Sequence, residues 1–154
     1  MSERLTIAAP TAAAMQALGE RLGRALRAGD VLALQGPLGA GKTTFVQGVA
    51  RGTGVPAGRH VASPTFALVN EHPGRVPLVH ADLYRIADPR ELDELGLSDA
   101  FDRAAVAIEW LDRFPDAAPA ERLEIEIEIA ADGGRTLRLR PIGPRAAALA
   151  AALR

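Results

Sequence analysis

The 154-residue sequence contains no cysteine, which excludes a disulfide framework and any metal site built on thiolates. Its net charge is only −1, so no overall basic field points to nucleic-acid binding. No apolar stretch approaches the length of a membrane span, and the first residues lack the basic and apolar regions of a signal peptide. We therefore expect a soluble protein of the cytoplasm with no membrane contact.

Lysine is almost absent: the 18 basic residues are 17 arginines and a single lysine, Lys42. Arginine and lysine replace each other readily on solvated surfaces, but they differ where a compact ammonium must fit beneath phosphates. Lys42 lies in Gly36-Pro37-Leu38-Gly39-Ala40-Gly41-Lys42-Thr43, which fits the pattern G-x-x-x-x-G-K-[ST]. The position of the one lysine therefore supports a phosphate-binding loop, here called the phosphate loop (residues 36–43).

The order of elements around the phosphate loop is the one that this motif requires. The apolar run 31–34 predicts a buried strand before it, and a helix is expected from Lys42 to about Arg51. Further strands are predicted at 5–8, 66–70, 76–81 and 104–108, and helices at 11–28, after Pro89 and at 144–154. The length suits one domain spanning residues 1–154.

Two segments near the C-terminus alternate strictly between apolar and charged residues, which predicts a hairpin. A three-residue loop at 132–134 sets Glu128 opposite Arg138 and Glu126 opposite Arg140. A two-residue loop would instead set charge opposite leucine. The sequence therefore predicts an odd-length loop and a ladder of cross-strand ion pairs.

The residue types of the phosphate loop suit a nucleotide with Mg²⁺. Its glycines let the backbone turn several N–H groups inward, and the following helix adds its positive N-terminal end. Lys42 is expected to reach the β- and γ-phosphates, Thr43 to bind Mg²⁺, and Thr44 to hydrogen-bond the α-phosphate.

Other polar residues have both functional and structural interpretations. Asp82 and Glu109 each end an apolar strand, where an acid can hold Mg²⁺ or orient water, but each could equally cap a helix or lie on the surface. Thr65, in Ser-Pro-Thr, fits a switch-like loop or an ordinary turn. His80 is more typical of a hydrogen-bonded core residue than of a ligand, and Trp110 of packing.

Together the sequence segments resemble the TsaE (YjeE) family of small bacterial ATPases, which are needed to make threonylcarbamoyladenosine (t6A) in tRNA. The segments are Gly36 to Thr44, Ser63-Pro64-Thr65-Phe66, His80-Ala81-Asp82-Leu83-Tyr84-Arg85 and Ile108-Glu109-Trp110. The resemblance covers nearly the whole chain. It implies an α/β P-loop NTPase fold with a mainly parallel central sheet, flanking helices and an antiparallel C-terminal hairpin.

The resemblance also implies slow ATP hydrolysis that is stimulated by a complex of TsaB and TsaD, with tRNA contacted through that complex and a monomer when alone. The implied catalytic residues are Lys42, Thr65, Asp82 and Glu109. The implied Mg²⁺ neighbours are Thr43, Asp82 and Glu109. The implied ATP or ADP contacts are Thr11, Pro37, Leu38, Gly39, Ala40, Gly41, Lys42, Thr43, Thr44 and Trp110.

Three positions depart from the family pattern. Pro37 replaces a frequent acid, Leu111 replaces a frequent proline, and a frequent aromatic residue is replaced near His72. Pro37 should not harm phosphate binding, since that position contributes backbone only. Because of the change near His72, we do not expect the family's aromatic contact at that place.

Alternative functions fit the sequence less well. A GTPase switch lacks the Asn-Lys-x-Asp signature, because the only lysine is in the phosphate loop. A small-molecule kinase would need an arginine-rich lid, and although Arg85 and Arg90 are available, no long lid segment exists. A binding module without hydrolysis is disfavoured by the complete set of Lys42, Thr43, Asp82 and Glu109.

Overall fold

A computed structural model of the chain describes residues 4–62, 64 and 68–154. The strands are β1 (Leu5–Ala9), β2 (Val31–Gln35), β3 (Val69–His72), β4 (Leu78–Asp82), β5 (Ala105–Glu109), β6 (Arg122–Ile129) and β7 (Arg135–Ile142). The helices are α1 (Ala12–Ala25), α2 (Lys42–Thr53), α3 (Arg90–Asp93), α4 (Leu97–Arg103) and α5 (Pro144–Ala151), with short 3-10 turns at Leu111–Arg113 and Pro115–Ala117.

The seven strands form one sheet in the order β1-β7-β6-β2-β5-β4-β3. The central neighbours β6-β2-β5-β4 pair in parallel, whereas β3 and the β7–β1 edge pair antiparallel. This arrangement confirms the predicted α/β fold with a mainly parallel centre and an antiparallel C-terminal hairpin. Because β2, β4 and β5 run side by side in one direction, their carboxyl ends meet at one edge of the sheet.

Apolar layers cover both faces of the sheet, which is why β2, β4 and β5 are almost continuously apolar. One layer packs α1, α2 and α5 against residues such as Leu32, Leu34 and Leu78. The other packs α4 and the segment around Leu111 against Val79 and Ile108. Within the described ranges, no helix is both long and apolar enough to span a membrane.

Helices α1 and α2 approach each other more closely than ordinary side chains permit. The contact is made by two pairs of glycines four residues apart: Gly19 and Gly23 on α1, and Gly48 and Gly52 on α2. A Cβ atom on any of them would lie under 3.0 Å from a backbone oxygen of the other helix. The phosphate-loop helix is therefore held against α1 by backbone-to-backbone packing.

The C-terminal hairpin has the predicted parity but a different register. Glu126 pairs with Arg138 and Glu124 with Arg140, so the strands are shifted by two residues from the predicted pairing. Ala130 N donates to Gly134 O, which closes a three-residue loop at 131–133 rather than 132–134. The loop carries Gly133 at its last position with φ +87°, a conformation that glycine adopts without strain.

Ion pairs still line the outer face of this hairpin, as predicted. Arg138 lies 3.4 Å from Glu126 and also contacts Glu128, while Arg140 lies 3.3 Å from Glu124. Both registers set glutamate against arginine, because a shift of two residues keeps every side chain on its own face. Charge alternation alone therefore could not separate them.

Several element ends differ from the sequence prediction. Helix α1 ends at Ala25 rather than 28, because Leu26 turns into extended backbone and is buried. Strand β4 begins at Leu78 rather than Val76, and β3 runs from Val69 to His72, while the predicted strand start at 66–67 falls outside the described residues. The predicted helix after Pro89 is limited to the single turn α3, and α4 follows Gly96, whose φ is +73°.

Replacing Gly48 by alanine should destabilise the protein, because the new methyl group would meet the backbone of Gln16, which cannot move aside as a side chain can. Overpacking of this kind costs about 1–3 kcal/mol, against which the better helix propensity of alanine recovers at most about 1 kcal/mol. We expect thermal unfolding to shift down by several degrees. The matched control is Gly58→Ala, since nothing lies within 4 Å of a Cβ there. Equal melting temperatures for the two variants would contradict the close helix contact.

Candidate functional site

The phosphate loop connects β2 to α2 and is shaped by glycines in the left-handed region. Gly39 has φ +81° and Gly41, the N-cap of α2, has φ +107°. Among the residues that the structure describes, no side chain caps the N-terminus of α2. The first N–H groups of the helix are therefore left for another acceptor, and an anion is the acceptor that such a helix end favours.

Lys42 is nearly buried, with 8% of its surface exposed. Its Nζ donates to Gly36 O at 2.8 Å, lies 3.8 Å from Glu109 Oε1 and sits 4.8 Å from the centre of the Trp110 ring. A buried ammonium needs acceptors for its hydrogens and a counter-charge. Here Gly36 O accepts a hydrogen bond, and Glu109 supplies the counter-charge. Together with the Trp110 ring, they hold the ammonium beside the phosphate loop.

The predicted strand-end acids are neighbours. Asp82 and Glu109 are direct partners in the parallel register of β4 and β5, and they are only 6% and 4% exposed. Asp82 Oδ1 accepts a hydrogen bond from Tyr84 N at 2.9 Å. Neither acid lies on the open surface, so that alternative is wrong, and neither acts as a helix N-cap.

Burial raises the pKa of Asp82 above its usual value of 3.8, and the nearby Glu109 carboxylate raises it further. The Tyr84 N–H, His80 and Lys42 act in the opposite direction, but they do not cancel the effect of burial on that pKa. Burial makes the ionised form of this carboxyl group less favourable, and a nearby cation stabilises that form. This property suits a group placed beside a divalent metal.

His80 is completely buried on β4, as its alternation with apolar residues predicted. Its Nε2 lies 2.6 Å from Glu109 Oε2, which confirms a hydrogen-bonded core histidine and identifies a partner that the sequence did not reveal. Its Nδ1 is buried and has no hydrogen-bond partner among the residues that the structure describes. Both ring nitrogens of nearby His72 likewise have no partner within the described ranges, and burial lowers the pKa of His72, with His80 and Arg59 adding to the effect.

Trp110 follows Glu109 with a left-handed backbone, at φ +64°, which is uncommon for a residue with a large side chain. This turn directs the indole back over Lys42, and the Tyr84 ring packs against it at 4.9 Å between centres. Trp110 therefore packs, as predicted, and it packs both against the apolar layer around Ile108 and Leu111 and over Lys42.

Arg135 was missed by the sequence prediction. Its Nε donates to Ala40 O at 2.8 Å and its Nη2 to Gly39 O at 3.2 Å, while Nη1 binds carbonyls of the hairpin turn. Only the general rule that arginine donates to carbonyls was available from the sequence, and it does not name the partner. The contact ties the hairpin to the phosphate loop.

Thr11 lies on the same side of the loop as Arg135. Its Oγ1 accepts from Ala14 N at 3.0 Å and so caps α1. Thr11, Thr44, Gly41, Gly134 and Arg135 line a cavity of about 150 Å³ beside the start of α2. The cavity is in position to receive the part of a ligand that extends beyond the loop.

The structure brings most of the predicted site residues together at one edge of the sheet. Lys42, Asp82, Glu109 and Trp110 converge there, and the other predicted contacts follow the loop and the first turn of α2, namely Pro37, Leu38, Gly39, Ala40, Gly41, Thr43 and Thr44. Leu38 is 96% exposed, so only its backbone faces the loop interior. Thr65, the predicted switch threonine, lies outside the described residues.

The described residues contain no group of three or more histidines and acids able to enclose a metal ion. This does not argue against Mg²⁺, which keeps several waters and commonly takes only one or two carboxylates beside phosphate oxygens. Asp82 and Glu109 are the neighbouring acids at this edge of the sheet, and Thr43 lies in the first turn of α2.

Residues 9–137 match the model of a protein family described as threonylcarbamoyl adenosine biosynthesis protein TsaE. The chain belongs to the TsaE family. The tRNA threonylcarbamoyladenosine biosynthesis protein TsaE of Bacillus subtilis (strain 168) is 44% identical over 119 residues, which are 76% of this chain and 73% of that protein. The protein of the same name from Nostoc sp. is 40% identical over 130 residues, covering 80% and 78% of the two chains.

A solved structure agrees with this family membership. The crystal structure of Bacillus subtilis YdiB matches with a TM-score of 0.85 and 32% sequence identity, over 99% of this chain and 95% of that one. The predicted resemblance to the TsaE family and the predicted P-loop NTPase fold are thereby confirmed.

Replacing Asp82 by asparagine should stabilise the ligand-free protein at neutral pH. Because its folded pKa is raised, the ionised carboxyl opposes folding above that pKa, and the penalty disappears as the pH falls toward 3.8. The melting temperature of Asp82→Asn should therefore exceed that of the wild type at pH 8, and the gain should shrink on acidification. Asp102→Asn, at an exposed position on α4, is the control. A gain independent of pH would show that burial of the Asp82 charge is not its cause.

Proposed function

We propose that this protein is an ATPase that acts with Mg²⁺ in the biosynthesis of tRNA threonylcarbamoyladenosine, driving turnover of a TsaB–TsaD transferase complex. The observation that carries the ATPase part is the convergence of a nearly buried lysine, an uncapped helix N-terminus and two buried carboxylates at one edge of the sheet. The family and the names of its members support the role in t6A biosynthesis.

The described residues fit a nucleoside triphosphate. Lys42 Nζ donates to Gly36 O, within its own loop, and approaches Glu109 only to 3.8 Å. With the described residues, the ammonium thus has no tight ion pair to break before it binds phosphate, since close charged pairs form at about 2.7–2.9 Å. The free N–H groups at the start of α2 supply further donors.

The residues also fit Mg²⁺. Thr43 supplies a hydroxyl at the first turn of α2, and Asp82 supplies a carboxylate whose pKa is raised by burial, so that a nearby cation would favour its ionised form. When bound, Mg²⁺ neutralises phosphate charge and favours displacement at the terminal phosphate. The proposed reaction is hydrolysis of ATP by water to ADP and inorganic phosphate.

Glu109 is the proposed water-orienting residue. Its carboxylate lies beside Lys42 and Asp82, is almost buried, and can accept a hydrogen bond from water. Lys42 would stabilise the charge on the phosphates, and Trp110 and Tyr84 would help to exclude bulk water from the lysine. Thr65 is proposed, from the resemblance alone, to respond to the terminal phosphate.

The cavity beside Thr11 and Arg135 is the proposed place of the base or sugar, because it adjoins Thr44, the proposed α-phosphate contact. We further propose that the chain works in the cytoplasm as a single domain, is a monomer when alone, hydrolyses ATP slowly by itself, and contacts tRNA only through the TsaB–TsaD complex.

Lys42→Ala should weaken nucleotide binding by about 10–150-fold, the equivalent of the 1.5–3 kcal/mol typical of a charged hydrogen bond. Isothermal titration calorimetry with ADP and Mg²⁺ measures the affinity directly. Arg51→Ala removes an exposed positive charge from the same helix and serves as the control. If Lys42→Ala binds ADP as tightly as Arg51→Ala does, the proposed site is wrong.

Addition of TsaB and TsaD together should raise the rate of ATP hydrolysis, because the proposed role couples hydrolysis to that complex. The rate of phosphate release is measured with each partner alone, with both, and with both plus the Lys42→Ala variant. In parallel, threonylcarbamoylation of tRNA should require this protein for repeated turnover. A rate that stays flat with both partners would contradict the coupling.

A further inference from the structure

His80 is the only described side chain that forms a close hydrogen bond with Glu109. The two residues are on neighbouring strands, where His80 is paired with Ala107 and Asp82 with Glu109. His80 therefore lies on the same face of the sheet as Glu109, opposite the residue two positions before it on β5. From there its Nε2 reaches Glu109 Oε2 at 2.6 Å.

The hydrogen-bond pattern assigns the tautomer of His80. A carboxylate only accepts hydrogen bonds, so the hydrogen between the two groups is carried by Nε2. Nδ1 is buried, and no described residue hydrogen-bonds to it. A lone pair left there costs less than a buried N–H without an acceptor would, so a hydrogen on Nε2 and a lone pair on Nδ1 fit these contacts.

The hydrogen bond from His80 also restricts how closely the Glu109 carboxylate can approach Lys42. Oε1 stays 3.8 Å from Lys42 Nζ, although both groups are more than nine-tenths buried and of opposite charge. Without a second partner, a flexible glutamate side chain would be drawn into a tight ion pair with that ammonium. In such an ion pair, the Lys42 ammonium would be less available to bind phosphate and the Glu109 carboxylate less available to orient water.

We propose that His80 is a positioning residue for Glu109: its Nε2–H holds the carboxylate in the orientation that acts on water and keeps it from closing onto Lys42. This inference rests on the proposed hydrolysis. It adds His80 to the proposed site of Asp82 and Glu109. Catalytic bases are commonly oriented in this way by a further hydrogen-bonding group. Orienting groups of this kind typically contribute about 10–100-fold to activity.

The first test uses the ligand-free protein. Heteronuclear NMR of the histidine rings should show His80 as the Nε2–H tautomer, with a slowly exchanging, strongly deshielded ring proton. In Glu109→Ala that proton resonance should shift markedly or be lost to exchange, while the His72 resonances change little. A His80 ring signal that is the same in the wild type and in Glu109→Ala would overturn the proposal.

The second test measures single-turnover ATP hydrolysis and nucleotide affinity in variants of His80. His80→Leu should slow hydrolysis by about 10–100-fold while ADP affinity changes by no more than a few-fold. His80→Gln, which keeps an N–H donor, should recover part of the rate. The matched control is His72→Leu, which should hydrolyse ATP as the wild type does. His72 is a buried histidine on the adjacent strand, and its ring nitrogens have no hydrogen-bond partner in the described part of the chain.

Glu109→Ala, alone and combined with His80→Leu, separates the possible failures. If Glu109→Ala hydrolyses ATP at the wild-type rate, the proposed role of Glu109 fails and the inference fails with it. If Glu109→Ala is inactive but His80→Leu is not impaired, only the inference is overturned. If both lose activity, the double variant should be no slower than Glu109→Ala alone, and a further loss would show that His80 acts by another route. Should His80→Leu not fold, His80→Gln and the NMR comparison still decide the question.

Discussion

The positive charge of Lys42 is nearly buried, with only 8% of the residue's surface exposed to solvent. The surrounding structure offsets the free-energy cost of burying that charge. The cost of burying an ammonium is large unless acceptors and an opposite charge are near. Here the acceptors come from the loop backbone, the opposite charge from the end of β5, and an aromatic face from the turn that follows. None of these contacts is a tight ion pair, so the charge is accommodated without being neutralised.

The parallel order of β2, β5 and β4 is what brings these contacts together. The loop after β2 supplies the lysine, and the last residues of the next two strands supply Glu109 and Asp82. The glycine contact between α1 and α2 fixes the helix that begins with Lys42, and Arg135 fixes the loop before that helix through Gly39 and Ala40. The position of the lysine is therefore determined by the packing of its helix and by the hydrogen bonds to its loop.

Much of this arrangement could be predicted from the sequence, because it depends on local patterns. Asp82 and Glu109 each follow an apolar strand, and parallel strands end at a common edge, so their proximity follows once the strands are parallel. The bond between His80 and Glu109 could not be predicted in the same way. It requires β4 and β5 to be neighbours in a specific register, and a lone histidine among apolar residues fits many buried settings.

The hairpin shows the same limit in another form. The alternation of charge determined which face each side chain occupies, but two registers satisfied it equally, and the choice was made by the turn. With the loop at 131–133, Gly133 takes the left-handed conformation and Gly134 packs against Pro10 near the start of α1. That register also places Arg135 at the first position of β7, from which it reaches the phosphate loop. The turn that set the register thus also determined the contact between the hairpin and the candidate site. The alternation of charge predicted neither the choice between the two registers nor that contact.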